Sequence, residues 1–172
     1  TTHKIEVRTG NPERVVLGVV GGFGASITAP GKAHHNGMEL VRLGEMNGPI
    51  SERVENLAEL WRGGGFTVKC FDDMDQLVWE KLICNCAFSA SAALTGWTVG
   101  EIIDDAHAWS VASNCAHEAY LVARASNIRL DIVDPVSYVR DFGAKIPDAR
   151  PSMLLDHMAG RASEIDAING AI

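Results

Sequence analysis

The stretch of residues 75–95 constrains the fold most, because it predicts one long helix in which three polar side chains share a face. Its sequence, DQLVWEKLICNCAFSASAALT, is largely apolar. Lys81, Asn85 and Ser89 are spaced four residues apart, so a helix places them in a row. The row offers a cation, an amide and a hydroxyl. The neighbouring positions are apolar and favour burial: Leu77, Val78, Leu82, Ile83, Phe88, Ala92 and Leu94.

Lys81 has two interpretations on the residues alone. A lysine in an apolar helix most often packs its stem and keeps its ammonium in water. The alternative is an amine placed for function. Asn85, between Cys84 and Cys86, is harder to explain as a surface residue, because a buried amide needs hydrogen-bond partners. A substrate hydroxyl or carboxylate could be one of them.

Composition excludes several classes of function. The 172 residues are 47% hydrophobic, enough for one sizeable domain or two small ones. A net charge of −7 argues against a nucleic acid or an anionic membrane as partner. No apolar run reaches membrane-spanning length, and no signal peptide is evident. We expect no membrane association.

The cysteines favour a reducing, cytoplasmic location. Cys84 and Cys86 lie within the predicted helix, where a disulfide framework is implausible, so reduced thiols are expected. Residues two apart on a helix point in different directions, so the pair predicts no metal site. The histidines do not cluster, and no serine sits in a nucleophile-elbow context.

Residues 1–71 predict an incomplete α/β unit. VVLGVV, residues 15–20, is typical of a strand buried on both faces, as in a parallel sheet. Asn36-Gly37 is a strong hairpin signal, and Pro30-Gly31 is a second turn. Ser51 can cap the amphipathic helix 51–62. The other predicted elements are a helix end at 2–9 and strands at 25–28, 33–36, 39–43 and 66–70.

Residues 72–172 predict an all-helical domain. Thr98 and Glu101 form a capping-box pattern, and Asp134-Pro135 starts a helix that runs to about 143. Further helices are expected at 152–158 and from Ser163 onward. A long helix at 107–126 should bury an apolar stripe: Val111, Cys115, Ala119, Val122 and Ala123.

Two other stretches are candidates for function. Residues 150–166 hold Ser152, Asp156, Arg161 and Glu164, for which capping and surface ion pairs are the plainer interpretation. GGFGAS, residues 21–26, follows a predicted strand as a phosphate-binding loop does. It lacks the G-x-G-x-x-G spacing and leads into a hairpin, so alone it is weak evidence for a nucleotide.

Three stretches together resemble the ketopantoate reductase (2-dehydropantoate 2-reductase) family. NPERVVLGVV, GASITAPGKAHHNG and LGE resemble the second half of its nucleotide-binding domain. WEKLICN resembles its W-x-K-L-x-x-N helix, and PSMLLDHMAGRASEIDAINGAI resembles its S-M-x-x-D and G-R-x-[ST]-E-I-D-x-[IL]-N-G signature. The resemblance implies a partial Rossmann-like NADP-binding domain at 1–71. It implies a substrate-binding helical bundle of the 6-phosphogluconate dehydrogenase C-terminal type at 72–172, truncated at its end.

The resemblance also implies residue roles. Lys81 matches the catalytic lysine, the general acid of ketone reduction, and Glu164 matches a glutamate that orients substrate. Asn85 and Ser152 match substrate-binding residues. Ser89 stands where the family has a second asparagine, which puts the identity of the substrate in question.

The cofactor implied by the resemblance is NADPH. Phe23, Gly24 and Ala25 are expected to border its nicotinamide, and the G-x-G-x-x-G motif would precede Thr1. The chain starts without methionine and stops within a predicted helix, so we expect a piece of a longer protein that binds NADPH weakly alone. An unpaired sheet edge should make it self-associate, as a homodimer, or join a missing segment.

The implied function is NADPH-dependent reduction of ketopantoate, a small 2-oxo acid, to pantoate in pantothenate and coenzyme A biosynthesis. Two alternatives stay open. One is a reductase of another branched 2-oxo acid, suggested by Ser89. The other is a catalytically incomplete helical dimerisation module, suggested by the missing cofactor motif.

Overall fold

The computed structural model describes residues 14–21, 24–37, 40–46 and 48–172. The chain divides into two compact units, Thr1–Leu77 and Val78–Ile172. It is mostly helical, with a small amount of sheet. The predicted helix end at 2–9 lies outside the described residues. The predicted domain boundary near residue 71 stays a prediction.

The first unit holds a three-stranded sheet and a separate hairpin. Strands β1 (Val16–Gly21), β4 (Leu40–Glu45) and β5 (Val68–Cys70) form the sheet in the order β1-β4-β5. Strand β4 is parallel to β5, and helix α1 (Glu52–Gly63) connects them, as parallel pairing requires. The core between sheet and helix consists of Val41, Leu43, Val54, Ala58 and Val68.

The predicted character of residues 15–20 is wrong. Strand β1 runs antiparallel to β4 and is the outermost strand of the sheet formed by the described residues. Val16 and Val20 are only partly buried, and Gly18 is exposed. A continuous β-branched run reports strand propensity, but it does not identify the neighbouring strand. Among the described residues, the strand that follows β1 belongs to a hairpin, so no crossover helix is seen after β1.

The predicted turn at Pro30-Gly31 is confirmed, whereas the predicted hairpin turn at Asn36-Gly37 is wrong. Strands β2 (Gly24–Ala29) and β3 (Lys32–Gly37) pair antiparallel around Pro30-Gly31. Gly31 has a φ of 73°, the left-handed conformation that glycine adopts without strain. Asn36-Gly37 ends β3 instead of forming the turn. Pro30-Gly31, the first of the two turn dipeptides in the chain, therefore closes the hairpin.

Helix α1 confirms the capping prediction. The Ser51 side chain accepts a hydrogen bond from the Val54 backbone N–H at 3.3 Å. Val54 and Ala58 are fully buried, whereas Trp61 is 39% exposed and packs edge-on against Phe66, with ring centroids 5.0 Å apart. The helix therefore buries its first two turns more completely than its last.

Gly44→Ala is expected to destabilise the first unit by about 1–3 kcal/mol, as overpacking of a core does. An added Cβ would lie 2.5 Å from the Phe71 carbonyl oxygen and 2.5 Å from Met74 Cγ. A backbone carbonyl cannot move aside as a side-chain end can. Gly63→Ala is the matched control, since nothing lies within 4 Å of its added Cβ. Urea unfolding measures both variants, and equal stability of the two would contradict the packing at Gly44.

The second unit is built from helices. After α2 (Met74–Thr95), which begins just before it, come α3 (Val99–Asp104), α4 (Ala106–Ala125), α5 (Pro135–Ala144) and α6 (Ser152–Met158). Two 3₁₀ turns follow, Ile165–Ala167 and Asn169–Ala171. One core joins these elements through residues such as Ile83, Phe88, Ile102, Ala116, Val139 and Leu154.

The predicted helix starts are confirmed by their capping contacts. The Glu101 backbone N–H donates to Thr98 Oγ1 at 3.3 Å, and the Thr98 N–H donates to Glu101 Oε2 at 2.7 Å, which completes the capping box. The Asp134 carboxylate accepts hydrogen bonds from the N–H groups of Val136 and Ser137, with proline at the first helical position.

Two predictions for this unit are wrong in detail. Of the stripe predicted for α4, Ala119 and Ala123 are fully buried, but Val111 is 57% exposed, and the other fully buried residues are Ala112 and Ala116. Alanine lets neighbouring helices approach closely, so the buried stripe follows shape and not side-chain hydrophobicity alone. The expected last helix is two 3₁₀ turns, interrupted at Ile168, where φ is −109° and ψ is −95°.

Helix α2 is long and apolar enough to cross a membrane by length and composition alone. It has 22 residues, and 44% of its most apolar window is buried within the protein. The core helix of a globular unit passes the same test. Its fully buried side chains, Ile83 and Ala87 among them, supply the centre of the helical core.

Candidate active site

Helix α2 places the three predicted polar residues on one face with steadily increasing burial. Lys81 is exposed, Asn85 is partly buried, and Ser89 is 4% exposed. The face therefore runs from solvent into the protein, with the lysine ammonium at its exposed end and the serine hydroxyl at its buried end.

The other sides of α2 fix the direction of this face. Ile83, Cys86, Ala87 and Phe88 are each at most 2% exposed and belong to the helical core. Rotating the helix would expose them at a cost of about 25 cal/mol per Å² of apolar surface. The apolar pattern of the sequence thus holds Lys81 and Asn85 where they are.

The cysteines of α2 are packing groups. Burial, followed by the nearby Glu80 carboxylate, raises the pKa of Cys84 to about 12. Burial, followed by Cys115, raises the pKa of Cys86 to about 11. Both thiols are therefore neutral near pH 7 and poor nucleophiles. Within the described part of the chain, no three His, Cys, Asp or Glu residues are grouped as metal ligands.

Ser152 and Glu164 lie on the C-terminal segment of the same unit. Ser152 is exposed at the first position of α6, with Met153 and Leu154 buried directly after it. Glu164 is exposed, and its backbone carbonyl accepts hydrogen bonds from the N–H groups of Ala167 at 2.9 Å and Ile168 at 3.1 Å. Both side chains are thus accessible while their backbones are held.

Asp156 and Arg161 form the surface ion pair that the plainer interpretation of this stretch predicts. Arg161 Nη2 lies 2.7 Å from Asp156 Oδ1, and its Nε donates to the same oxygen at 2.8 Å. The Arg161 backbone N–H also donates to the Asp156 carbonyl at 2.8 Å. The pair closes the bend at Gly160, where φ is 67°, shortly before Glu164.

Asn169 joins this segment to helix α2, a contact that the sequence reasoning missed. Its Nδ2 donates to the Cys86 backbone carbonyl at 2.9 Å, across 83 residues of chain. Ile168 and Ile172 pack against the helical core on either side of it. The available signal was a lone polar residue in the apolar stretch AINGAI, within the signature motif quoted above. Its partner, a backbone carbonyl, left no trace in the sequence.

The structure describes only part of the segment predicted to border the cofactor, residues 23–25. Phe23 lies outside the described residues. Gly24 and Ala25 begin strand β2, and Ala25 is exposed. The segment continues into a hairpin, as its sequence predicts. No cofactor contact is assigned to them from geometry.

A pocket of about 440 Å³ in the helical unit is lined by other residues: Trp97, Glu101, Asp104 and Asp105. Its three carboxylates repel an anion, so it does not suit a 2-oxo acid. Glu101 and Asp105 are also the caps of α3 and α4. Their charges are explained by the helix N-termini that they stabilise.

The chain is similar to known proteins over most of its length. Residues 73–172 match the family model described as "Ketopantoate reductase PanE/ApbA C terminal". The 2-dehydropantoate 2-reductase of Archaeoglobus fulgidus is 31% identical over 159 residues, which cover 92% of this chain and 53% of that protein. The chain spans about half the length of the curated relatives it matches.

Solved structures give the same result. The crystal structure of 2-dehydropantoate 2-reductase from Geobacter metallireducens GS-15 superposes with a TM-score of 0.86 at 28% identity, covering 97% of this chain and 55% of that one. D-mandelate dehydrogenase, solved with NADH and anilino(oxo)acetate, shares the fold at a TM-score of 0.84 and 21% identity, covering 98% and 56%. Because the family model spans more than half of its residues, the chain belongs to the ketopantoate reductase family.

Proposed function

We propose that the complete protein reduces ketopantoate, a 2-oxo acid, to the 2-hydroxy acid pantoate, using NADPH. The observation that carries this proposal is the face of α2, where Lys81 and Asn85 occupy the positions of the family's W-x-K-L-x-x-N motif and grade from solvent into the core. The relatives named 2-dehydropantoate 2-reductase support it.

Each residue has a task in this proposal. NADPH, when bound, supplies the hydride that reduces C2 of the substrate. The Lys81 ammonium stabilises negative charge on the carbonyl oxygen and donates the proton that completes the alcohol. Asn85 and Ser152 hydrogen-bond the substrate hydroxyl and carboxylate, which orients the carbonyl. Glu164 accepts a hydrogen bond from the substrate and keeps Lys81 in place.

We further propose that the first unit is the C-terminal part of a Rossmann-like NADP-binding domain. The parallel pair β4 and β5, joined by helix α1, supports this, since such a crossover is the unit from which that fold is built. Phe23, Gly24 and Ala25 bordering the nicotinamide, a cytoplasmic location and homodimer formation belong to the same proposal. Light scattering of the purified protein tests the last point.

A second candidate function is the reduction of a different branched 2-oxo acid. Ser89 favours it, because a hydroxyl is shorter than the amide that the family has at this position, and the residue is 4% exposed. A panel of 2-oxo acids, with NADPH oxidation as readout, separates the candidates. We expect ketopantoate to give the highest kcat/KM. A higher value for another 2-oxo acid would transfer the proposal to that substrate.

Ser89→Ala is expected to raise KM for the preferred substrate about three- to tenfold with little change in kcat, the effect of one lost hydrogen bond. Ser91→Ala is the matched control. It removes the same atom from the same helix, where Ser91 Oγ donates to the Ala87 carbonyl at 3.0 Å. Equal KM values for the two variants would show that Ser89 does not contact substrate.

A further inference from the structure

We propose that Asn169 is a positioning residue, which holds the segment bearing Glu164 on the helix that bears Lys81 and Asn85. Its catalytic consequence rests on the function proposed above. Its structural consequence does not, and the two are tested separately.

The Asn169 amide contacts helix α2. Nδ2 donates at 2.9 Å to the carbonyl of Cys86, the residue that follows Asn85 on α2. One side chain of the C-terminal segment is therefore hydrogen-bonded to the helix that carries Lys81 and Asn85.

The side-chain oxygen of Asn169 is buried at a cost in free energy of folding. Asn169 Oδ1 is buried and has no hydrogen-bond partner in the structure. A buried, unsatisfied acceptor costs about 1–3 kcal/mol. An apolar side chain of similar size would fill the space without that penalty. The amide is therefore of use at this position for its N–H donors, which hold the backbone of α2 next to the predicted substrate face.

The connection continues from Asn169 to Glu164 through one turn of backbone. The N–H of Ile168, the residue before Asn169, donates to the Glu164 carbonyl at 3.1 Å. On the other side, the Asp156–Arg161 pair fixes the bend that precedes Glu164. Glu164 is thus held from both directions while its carboxylate stays exposed. Removing the Asn169 amide releases one of these two constraints on Glu164.

The catalytic test is a double-mutant cycle in the complete protein. Asn169→Ala is expected to lower kcat/KM for ketopantoate about 10- to 100-fold, the effect of a small displacement of a catalytic group. In a Glu164→Gln background the same change should lower it less than about threefold, because the residue through which Asn169 acts is already altered. Asn114→Ala, an exposed asparagine on α4, is the matched control and should leave kcat/KM unchanged.

The structural test is amide hydrogen exchange, which needs no activity. Asn169→Ala should speed exchange of the Ala167 and Ile168 amides by about tenfold or more, while Ser113 and Asn114 on α4 are unaffected. If Asn169→Ala does not fold, Asn169→Leu fills the same space and removes the donors without adding a charge, and it replaces Ala in both tests.

Two results would overturn the positioning role. One is unchanged amide exchange of residues 165–172 in Asn169→Ala. The other is an equal loss of kcat/KM when Asn169→Ala is made in the wild-type protein and in Glu164→Gln. A complete protein that reduces no 2-oxo acid would refute the proposed function. Faster exchange in Asn169→Ala would still support the structural part of the inference in that case.

Discussion

Lys81→Ala in the complete protein is expected to lower kcat for ketopantoate reduction by about 10²- to 10⁴-fold, the range typical of a lost general acid. The side chain stabilises charge that develops only in the transition state, so kcat should fall more than KM rises. Folding should be intact, because Lys81 is exposed and outside the core. Steady-state NADPH oxidation and a thermal melt measure the two effects.

Two further variants make the Lys81 result specific. Lys145→Ala removes an exposed lysine at the end of α5 and should leave kcat unchanged. Lys81→Arg keeps the positive charge but is a poor proton donor near neutral pH, so it should recover only part of the lost rate. Near-normal reduction of ketopantoate by Lys81→Ala would mean that Lys81 is a surface residue without a role in catalysis, as its apolar context alone suggests.

Ile83→Ala is expected to lower the free energy of unfolding by about 2–5 kcal/mol, as removal of a buried aliphatic side chain does. Ile83 is 0% exposed and belongs to the core shared by the helices of the second unit. Ile83 lies two residues from Lys81. The variant therefore also tests whether the core holds in place the face of α2 that carries Lys81, Asn85 and Ser89. Urea unfolding followed by tryptophan fluorescence and circular dichroism measures the change.

Leu94→Ala is the control for Ile83→Ala, because it truncates an aliphatic residue of the same helix that is 85% exposed. Its effect should stay within about 0.5 kcal/mol, as for most surface changes. A loss below 1 kcal/mol for Ile83→Ala would mean that α2 is not packed in the unit as described.

Local sequence rules predict most of the helical unit correctly, because the decisive contacts are between near neighbours. Thr98 and Glu101 are three residues apart, and both of their capping hydrogen bonds form. Asp134-Pro135 starts a helix for reasons contained in those two residues and the next turn. The row of Lys81, Asn85 and Ser89 follows from helical spacing alone.

The features that could not be predicted depend on distant partners. Strand β1 has high β-propensity in any sheet, and only its pairing with β4 makes it an antiparallel edge strand. The alanine stripe of α4 reflects the shape of the helices around it. The contact of Asn169 with Cys86 joins residues 83 positions apart and uses a backbone carbonyl, which carries no sequence information.

The candidate site shows the same division. Spacing on one helix brings Lys81, Asn85 and Ser89 together, but nothing local connects them to Ser152 or Glu164. Those two residues were identified through the family motif, and their roles stay predictions. What the structure adds is the shared core and the Asn169 hydrogen bond, which attach the C-terminal segment to α2.

The most direct test of the central claim is transfer of a labelled hydride by the complete protein. We expect ketopantoate and NADPH deuterated at the transferring position to yield pantoate with one deuterium at C2, detected by mass spectrometry. The Lys81→Ala variant should form this product about 10²- to 10⁴-fold more slowly. Unlabelled pantoate, no reduction of ketopantoate by the wild-type protein, or equal rates for the two proteins would contradict the account.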